Sequence, residues 1–141
     1  MVIDENIKNL IENKLNECIK SDEVPVCAII FDDNMNIVSV GINDRQNSNS
    51  VIGHAEINAI LDAERKIGDW RLNGYQMLVS LEPCDMCKAI INECRLDRVY
   101  YLCRRELFDE HDDNKIIFLP SDLIEEDYIK KLLTRFFNNK R

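Results

Sequence analysis

Apolar segments of two kinds follow one another along this 141-residue chain, and their order constrains the fold more than any other feature. Isoleucine, leucine and cysteine recur at helical spacing over residues 3–19, which predicts an amphipathic first helix. Short apolar runs at 26–31 and 37–42, joined by the polar turn 32–34, predict the two strands of a hairpin. Helical spacing then returns, so that residues 54–67 are predicted to form a second helix.

The rest of the chain alternates strands with helices. We predict strands at 75–81, 99–103 and 116–119, and helices at 84–94 and about 121–138, the last of them capped by Ser121. This order predicts an α/β protein with three layers, α/β/α, in which helices cover both faces of a mixed central sheet of about five strands. No linker rich in Pro, Gly or Ser divides the chain, and we therefore expect a single domain over residues 1–141.

The charge of the chain excludes one class of function and suggests another. With 18 Lys and Arg against 26 Asp and Glu, the net charge is −8, which excludes a wholly basic protein that coats nucleic acid. The end of the chain differs, because residues 130–141 include five basic residues and no acidic residue. This asymmetry predicts contact with a polyanion such as RNA; the alternative is a solvated helix end whose cations suit the helix dipole. The candidate RNA contacts are Lys130, Lys131, Arg135, Lys140 and Arg141.

The sequence also predicts a location for the protein. The longest apolar stretch, residues 24–31, is far shorter than the ~20 residues that a membrane span requires, so we expect no membrane association. The first six residues lack the basic stretch that opens a secretory signal, and we therefore expect the protein in the cytoplasm. There the six cysteines should stay reduced, as thiols or metal ligands.

Two short segments carry chemistry: His-Ala-Glu at 54–56 and Pro-Cys-Asp-Met-Cys at 83–87. Cys84 and Cys87 lie three positions apart at a predicted helix start, so they share one helix face and can hold one ion. The helix N-terminus favours the thiolate form, which is the ligand. His54 opens the neighbouring predicted helix and can supply a third ligand, which leaves the fourth position of a tetrahedral zinc open for water.

Glu56 gives this site its catalytic interpretation. It lies two residues from His54, close enough to reach that water without binding the metal, and can take and return its proton. Simpler interpretations exist for each part: a redox cysteine pair, a solvated glutamate, or a structural zinc. A structural zinc would need a fourth ligand, for which the candidates are Cys94, Cys103 and His111.

The two segments together resemble the signature of the zinc-dependent cytidine/deoxycytidylate deaminase superfamily, His-x-Glu followed by Pro-Cys-x-x-Cys. The resemblance extends to Glu-Val-Pro-Val at 23–26, Gly-Ile-Asn at 41–43, Leu-Glu before Pro83, and Leu-Leu-Thr-Arg-Phe-Phe at 132–137. These additional segments are most similar to the branch formed by the bacterial tRNA-specific adenosine deaminases.

The resemblance implies roles for individual residues. It implies one Zn²⁺ per chain, held by His54, Cys84 and Cys87, with Glu56 as the catalytic proton shuttle. It also implies that Asn43 and the backbone N–H of Ala55 bind the substrate base. For the whole protein it implies the three-layer fold, a homodimer, and conversion of adenosine to inosine at the wobble position of a tRNA anticodon loop.

The chain departs from the family pattern at three places. Val-Ile-Gly at 51–53 replaces the usual residues before the histidine, and we expect this stretch to line the base pocket. Arg105 stands where the family has an acidic residue that faces nucleic acid, and the segment 106–113 that follows contains five acidic residues, which would repel phosphate. These departures leave open two alternatives: deamination of a free base or nucleoside (guanine, cytosine or cytidine), and a zinc-stabilised binding module without catalysis.

Three aromatic residues have two interpretations each. Trp70 is predicted to be a packing residue, with stacking on a splayed base as the alternative. Phe136 and Phe137 follow the helical spacing of a core or interface, and an outward-facing Phe137 could instead meet a base.

Overall fold

The computed structural model describes residues 1–105 and 114–139. Within these residues, no helix has both the length and the apolar content needed to cross a membrane. The helices are α1 (Glu5–Lys20), α2 (Ala55–Ile67), α3 (Asp85–Glu93) and α4 (Glu126–Asn138). The strands are β1 (Cys27–Phe31), β2 (Ile37–Ile42), β3 (Gln76–Val79), β4 (Arg98–Tyr101) and β5 (Ile116–Phe118).

The five strands form one mixed sheet in the order β2-β1-β3-β4-β5. Strand β1 is antiparallel to both β2 and β3, whereas β3, β4 and β5 are parallel to one another. The carboxyl ends of β2, β3 and β4 therefore lie at the same edge of the sheet. Every residue of β1 is buried, so helices and connections cover both faces of the sheet, as the sequence predicted.

Helix α2 lies directly on strand β2 because Gly41 has no side chain. A Cβ atom at this position would overlap the carbonyl oxygen of Ala55 and the backbone nitrogen of Ala59. The hydroxyl of the neighbouring Ser39 donates a hydrogen bond to the carbonyl oxygen of Ala59, at 2.8 Å. This close contact fixes the start of α2 relative to the carboxyl edge of the sheet.

The sequence places the start of the last helix too early. Ser121 accepts hydrogen bonds at its hydroxyl from the N–H groups of Leu123 and Ile124, both at 3.2 Å. These bonds close a local turn in which Ile124 is buried, and the regular helix begins only at Glu126. The predicted cap is therefore wrong: a serine hydroxyl can stabilise an isolated turn as well as a helix start.

Arg104 and Glu126 attach α4 to the end of β4. The guanidinium of Arg104 donates two hydrogen bonds to the carboxylate of Glu126, at 3.0 and 2.8 Å, and its backbone N–H donates a third at 2.9 Å. The hydrogen bonds from Arg104 hold the pKa of Glu126 down to about 2. The same guanidinium lies 4.6 Å from the ring centroid of Phe118, which adds a cation–π contact on strand β5.

Candidate metal centre and active site

The three predicted metal ligands come from two helix starts at the carboxyl edge of the sheet. His54 is the N-cap residue of α2, which follows β2. Cys84 is the N-cap residue of α3, which follows β3, and Cys87 lies in the first turn of that helix. The side chains of both N-cap residues make no capping hydrogen bond, so they remain available to a ligand.

The geometry of the three side chains fits a single zinc ion. The Nδ1 atom of His54 lies 3.8 Å from the Sγ atom of Cys84 and 3.5 Å from the Sγ atom of Cys87. All three ligand atoms lie within 4.8 Å of one another. Tetrahedral zinc, with bonds of about 2.3 Å to sulfur and about 2.05 Å to nitrogen, separates a nitrogen from a sulfur ligand by about 3.6 Å. The histidine and the two cysteines are therefore positioned to hold one zinc ion, and three protein ligands would leave one position of a tetrahedral zinc open.

Glu56 lies beside this group but is not part of it. Its side chain is buried, with 3% of the residue exposed, and burial raises the pKa of its carboxyl group. A hydrogen bond with the side chain of Cys87 and the positive charge of Arg105 oppose that rise only in part. A buried carboxyl group whose pKa is moved toward neutrality is suited to accept and return a proton.

A cavity of about 380 Å³ opens above these residues. Its floor is formed by His54, Ala55 and Glu56 at the start of α2. Its remaining wall is largely apolar, formed by Val24, Val26, Leu81, Leu133 and Phe137, the last two on α4. An apolar wall with a few convergent polar groups is typical of a site for a small planar ligand.

Three polar residues complete the cavity wall: Asn43, Arg45 and Arg105. The side-chain oxygen of Asn43 accepts a hydrogen bond from the backbone N–H of Arg45, at 3.0 Å. The structure thus brings Asn43 and Ala55, the two predicted substrate-binding residues, to the same cavity as the histidine ligand and Glu56. Sequence reasoning did not place Arg45 there, because the 43–50 loop has no motif that indicates which of its side chains faces the cavity.

Glu23 fixes the loop that carries Asn43 and Arg45. The residue is 2% exposed, and its carboxylate accepts hydrogen bonds from the backbone N–H groups of Gln46 and Asn47, at 3.0 and 2.8 Å. It also accepts a bond at 2.7 Å from the side-chain amide of Asn47. Although burial raises the pKa of Glu23, these hydrogen bonds hold it below its ordinary value. This anchoring role was not predicted from the sequence.

Glu82 fixes the segment immediately before the cysteine pair. This buried residue accepts a hydrogen bond at its carboxylate from the backbone N–H of Arg105, at 3.2 Å, and forms an ion pair with Lys88 at 3.5 Å. Its own N–H donates to the carbonyl oxygen of Cys103, at 2.8 Å. Glu82 therefore couples the end of β4 to the start of α3, where the two cysteine ligands lie.

The segment 51–53 does not line the cavity, contrary to the prediction. Val51 and Ile52 are 72% and 49% exposed, and Gly53 packs instead against Asp44 and Arg45. The reason is that the chain turns away from the cavity before His54 enters it, with the N–H of His54 donating to the carbonyl oxygen of Ile52 at 2.8 Å.

The candidate RNA contacts on α4 lie away from the cavity wall. Lys130, Lys131 and Arg135 are not among the residues that line it, and Lys131 forms an ion pair with Asp127 at 3.0 Å. Lys140, Arg141, His111 and the acidic segment 106–113 lie outside the described residues.

The alternative cysteine ligands are also elsewhere. Cys94 and Cys103 are buried, and their thiols donate to the carbonyl oxygens of Ile91 and Arg104, at 3.4 and 3.6 Å. Neither belongs to the group that could hold a metal.

The two aromatic predictions differ in outcome. Trp70 is 49% exposed, and the guanidinium groups of Arg71 and Arg95 lie 4.6 and 5.1 Å from its ring centroid, so it is not a core residue. Phe137 is 53% exposed and lines the cavity, with its ring edge-to-face against Phe136.

The fold and the His/Cys/Cys zinc site define the class of protein. The chain belongs to the family described by the cytidine and deoxycytidylate deaminase zinc-binding region, whose model matches residues 1–103. Within that family it is 31% identical over 129 residues to the tRNA-specific adenosine deaminase of Haemophilus influenzae, covering 84% of this chain and 74% of that protein. It is 44% identical over 81 residues to the protein of the same name from Rickettsia bellii, covering 57% of this chain and 56% of that protein. The chain thus spans about half the length of the Rickettsia relative that it matches.

Solved structures agree with the family. A structure from a study of A-to-I editing by tRNA:A34 deaminases is 27% identical, with a TM-score of 0.67 over 79% of this chain and 95% of that chain. The guanine deaminase from Nitrosomonas europaea has a TM-score of 0.77 over 96% of this chain and 85% of that chain. Because the latter is only 20% identical, its similarity establishes the fold alone.

Proposed function

We propose that this chain is a zinc-dependent hydrolytic deaminase that converts adenosine to inosine at the wobble position of a tRNA anticodon loop. The observation that carries the proposal is the arrangement of His54, Cys84 and Cys87 around one metal position beside the buried carboxyl group of Glu56. A structural zinc site has no use for such a carboxyl group, whereas a hydrolytic site requires one. The relatives named tRNA-specific adenosine deaminase support adenosine in tRNA as the substrate.

The reaction assigns a task to each residue of the cavity. Water adds to C6 of adenine, the bond from C6 to the amino nitrogen breaks, and ammonia leaves. When bound, zinc would lower the pKa of a water molecule toward neutral pH. Glu56 accepts one proton from the attacking water and donates it to the ring nitrogen. It then takes the proton that remains on the added hydroxyl and donates it to the leaving amine, so that ammonia departs as the carbonyl forms. Because Glu56 is 3% exposed, this proton transfer is shielded from bulk solvent.

The base is held by residues that reach the cavity from three directions. The side chain of Asn43 and the backbone N–H of Ala55 supply hydrogen bonds to the purine edge. Val26, Leu81 and Leu133 cover its faces. The five basic residues at the end of the chain (Lys130, Lys131, Arg135, Lys140 and Arg141) contact the phosphates of the RNA.

The test measures inosine in RNA. Zinc-loaded protein is incubated with anticodon stem-loops that contain adenosine at the wobble position, and with total tRNA. We expect inosine at that position, and a loss of two to four orders of magnitude or more in Glu56→Ala with zinc retained. Glu64→Gln, on the same helix but outside the cavity, is the matched control and should keep full activity. If no tRNA with a wobble adenosine is modified, the proposal is refuted.

A free base or nucleoside is the second candidate substrate. The five acidic residues of the segment 106–113, directly after Arg105, favour it because they repel the phosphates of an RNA. An ammonia-release screen over guanine, cytosine, cytidine and adenosine decides between the two substrates. Turnover of any of them that depends on Glu56 also rules out the third alternative, a zinc-stabilised binding module without catalysis.

We further propose that the protein is a homodimer in the cytoplasm. All six cysteines are free thiols in the structure, which suits a reducing compartment. The exposed side chains of Leu61 and Trp70 provide apolar surface that a second copy could cover. Light scattering coupled to size exclusion should give twice the mass of the chain, and the mass of a single chain would contradict the dimer.

A further inference from the structure

Two arginines line the cavity beside the buried carboxyl group of Glu56. Arg45 approaches it from the loop after β2, and Arg105 from the segment after β4. Both residues are exposed, and neither forms an ion pair with a described acidic residue. On a chain with a net charge of −8, two guanidinium groups at one cavity, neither of them in an ion pair with a described acid, require an explanation.

The backbone of Arg45 is held in place by its neighbours on both sides. Its N–H donates to the side-chain oxygen of Asn43, and the next two N–H groups, of Gln46 and Asn47, donate to the buried carboxylate of Glu23. The backbone that carries the Arg45 side chain is therefore fixed, so less conformational entropy is lost when this side chain binds a ligand.

Gly53 allows the loop to come this close. A Cβ atom at position 53 would lie 2.6 Å from the Oδ1 atom of Asp44 and 3.0 Å from the Cα atom of Arg45. The N–H of Asp44 donates to the carbonyl oxygen of Gly53, at 3.0 Å, and the side chain of Asn58 donates to Oδ1 of Asp44, at 2.9 Å. The Val-Ile-Gly segment at 51–53, which departs from the family pattern, thus affects the position of Arg45 but does not itself line the cavity.

Arg105 is oriented by the segment before the metal ligands. Its Nε atom donates to the carbonyl oxygen of Glu82, at 2.6 Å, and its backbone N–H donates to the carboxylate of Glu82, at 3.2 Å. No described residue is hydrogen-bonded to the two terminal nitrogens of the guanidinium, so among residues 1–105 and 114–139 nothing competes with a ligand for them. Two parallel donors in one plane match the oxygens of a phosphate group.

We propose that Arg45 and Arg105 form an anion subsite that binds a phosphate of the nucleotide whose base enters the cavity. This inference rests on the proposed deaminase function and specifies its substrate class: the base must belong to a phosphorylated nucleotide, either within a polynucleotide or as a free monophosphate. A free base or a nucleoside lacks the group that the two arginines bind. Arg105 then serves as a specificity-determining residue.

The test measures binding, which does not depend on turnover. The protein is zinc-loaded Glu56→Ala, and the probe is a fluorescein-labelled RNA pentanucleotide with a central adenosine. A second probe carries methylphosphonates on both sides of that adenosine, and unlabelled adenosine and adenosine monophosphate serve as competitors. Arg45→Gln, Arg105→Gln and Arg105→Lys are compared with Arg98→Gln. Arg98 is an exposed arginine at the amino end of β4, the opposite sheet edge, and gives the same charge change.

We expect Arg45→Gln and Arg105→Gln each to raise Kd about tenfold. Each should also lower the slope of log Kd against log salt concentration by about 0.7, because one phosphate contact on a single strand contributes that amount. Arg105→Lys should recover part of the affinity, because it restores charge but not the planar pair of donors. The methylphosphonate probe lacks the charges that the arginines are proposed to bind, so it should bind weakly to the parent protein. For the same reason, Arg105→Gln should reduce its affinity little further. Arg98→Gln should bind like the parent, and all variants should share its melting temperature.

The competitors identify the source of the phosphate. Competition by adenosine monophosphate that exceeds that of adenosine and disappears in Arg105→Gln assigns the subsite to free nucleotides. If the arginine substitutions weaken binding of the pentanucleotide but not of the monophosphate, the subsite binds a phosphate of a polynucleotide.

Unchanged affinity and salt slope in Arg45→Gln or in Arg105→Gln would overturn the subsite, as would a parent protein that binds neither the pentanucleotide nor the monophosphate. Failure of the subsite can be distinguished from failure of the proposed function. Arginine-dependent binding without inosine formation in the active protein contradicts the function alone, whereas inosine formation that is unaffected by Arg105→Gln contradicts the subsite alone.

Discussion

Gly41 and Ala59 meet backbone to backbone, because Gly41 has no side chain to separate strand β2 from helix α2 at this point. The first turn of that helix carries His54 and Glu56, so this contact determines how deeply the histidine ligand and the carboxyl group enter the cavity. A packing contact in the core therefore controls the distance between His54, at the start of α2, and the two cysteine ligands at the start of α3.

Substitution of Gly41 by alanine should disturb both stability and metal binding. The added methyl group has no room beside Ala55 and Ala59, and overpacking of this kind costs about 1–3 kcal/mol in the free energy of unfolding. Helix α2 must also shift away from the sheet, which weakens zinc binding. Chemical denaturation and zinc titration measure the two effects, and a variant with parental values for both would contradict the close contact.

Single substitutions of cysteine should distinguish the metal ligands from the cysteines that only pack in the core. We expect Cys84→Ala and Cys87→Ala to lose zinc and activity together, because each removes one of the three ligands. Cys94→Ala should lower the free energy of unfolding by about 1 kcal/mol and keep one zinc per chain, since its thiol only donates to the carbonyl of Ile91. Elemental analysis of the purified variants provides the measurement, and loss of zinc in Cys94→Ala would show that the ligands were assigned wrongly.

The ion pair between Arg104 and Glu126 should make stability depend on pH. The pair lowers the pKa of Glu126 from 4.5 to about 2. A lowered carboxyl pKa adds stability that is complete above pH 4.5 and is lost as the pH falls from there toward 2. Glu126→Gln should therefore have a lower Tm than the parent at pH 7, and the difference should shrink as the pH falls below 4.5. Glu125→Gln, the preceding and exposed acid, is the control; an equal loss in both variants would contradict a specific pair.

Loss of the Glu23 carboxylate should impair substrate binding more than the chemical step. Glu23→Gln removes the charge that holds the N–H groups of Gln46 and Asn47, so the loop bearing Asn43 is no longer fixed at the cavity. We expect KM to rise several-fold at constant zinc content, with a smaller change in kcat. Glu17→Gln, at the end of α1, should leave both constants unchanged. Equal losses in kcat and kcat/KM would instead place Glu23 in the chemistry.

Much of the fold and the metal centre could be predicted because their signals are local. The spacing of Cys84 and Cys87 and the position of His54 before a helix are visible in short stretches of sequence. The cavity wall was harder to predict, because it is built where distant segments approach one another. Arg45 reaches the cavity only because Gly53 leaves room for its loop. Leu133 and Phe137 reach it because Arg104 fixes the start of α4, and no local pattern indicates such contacts.

Both His54 and Cys84 occupy the position where a helix normally receives a hydrogen bond from its first side chain, and neither provides one. The bound metal would therefore tie together the beginnings of two helices that otherwise have no side-chain cap. Newly synthesised chains that fail to acquire zinc should fray at both helix starts and offer cleavage sites to proteases. Under zinc starvation, the protein would then be lost by degradation and would not accumulate as an inactive pool.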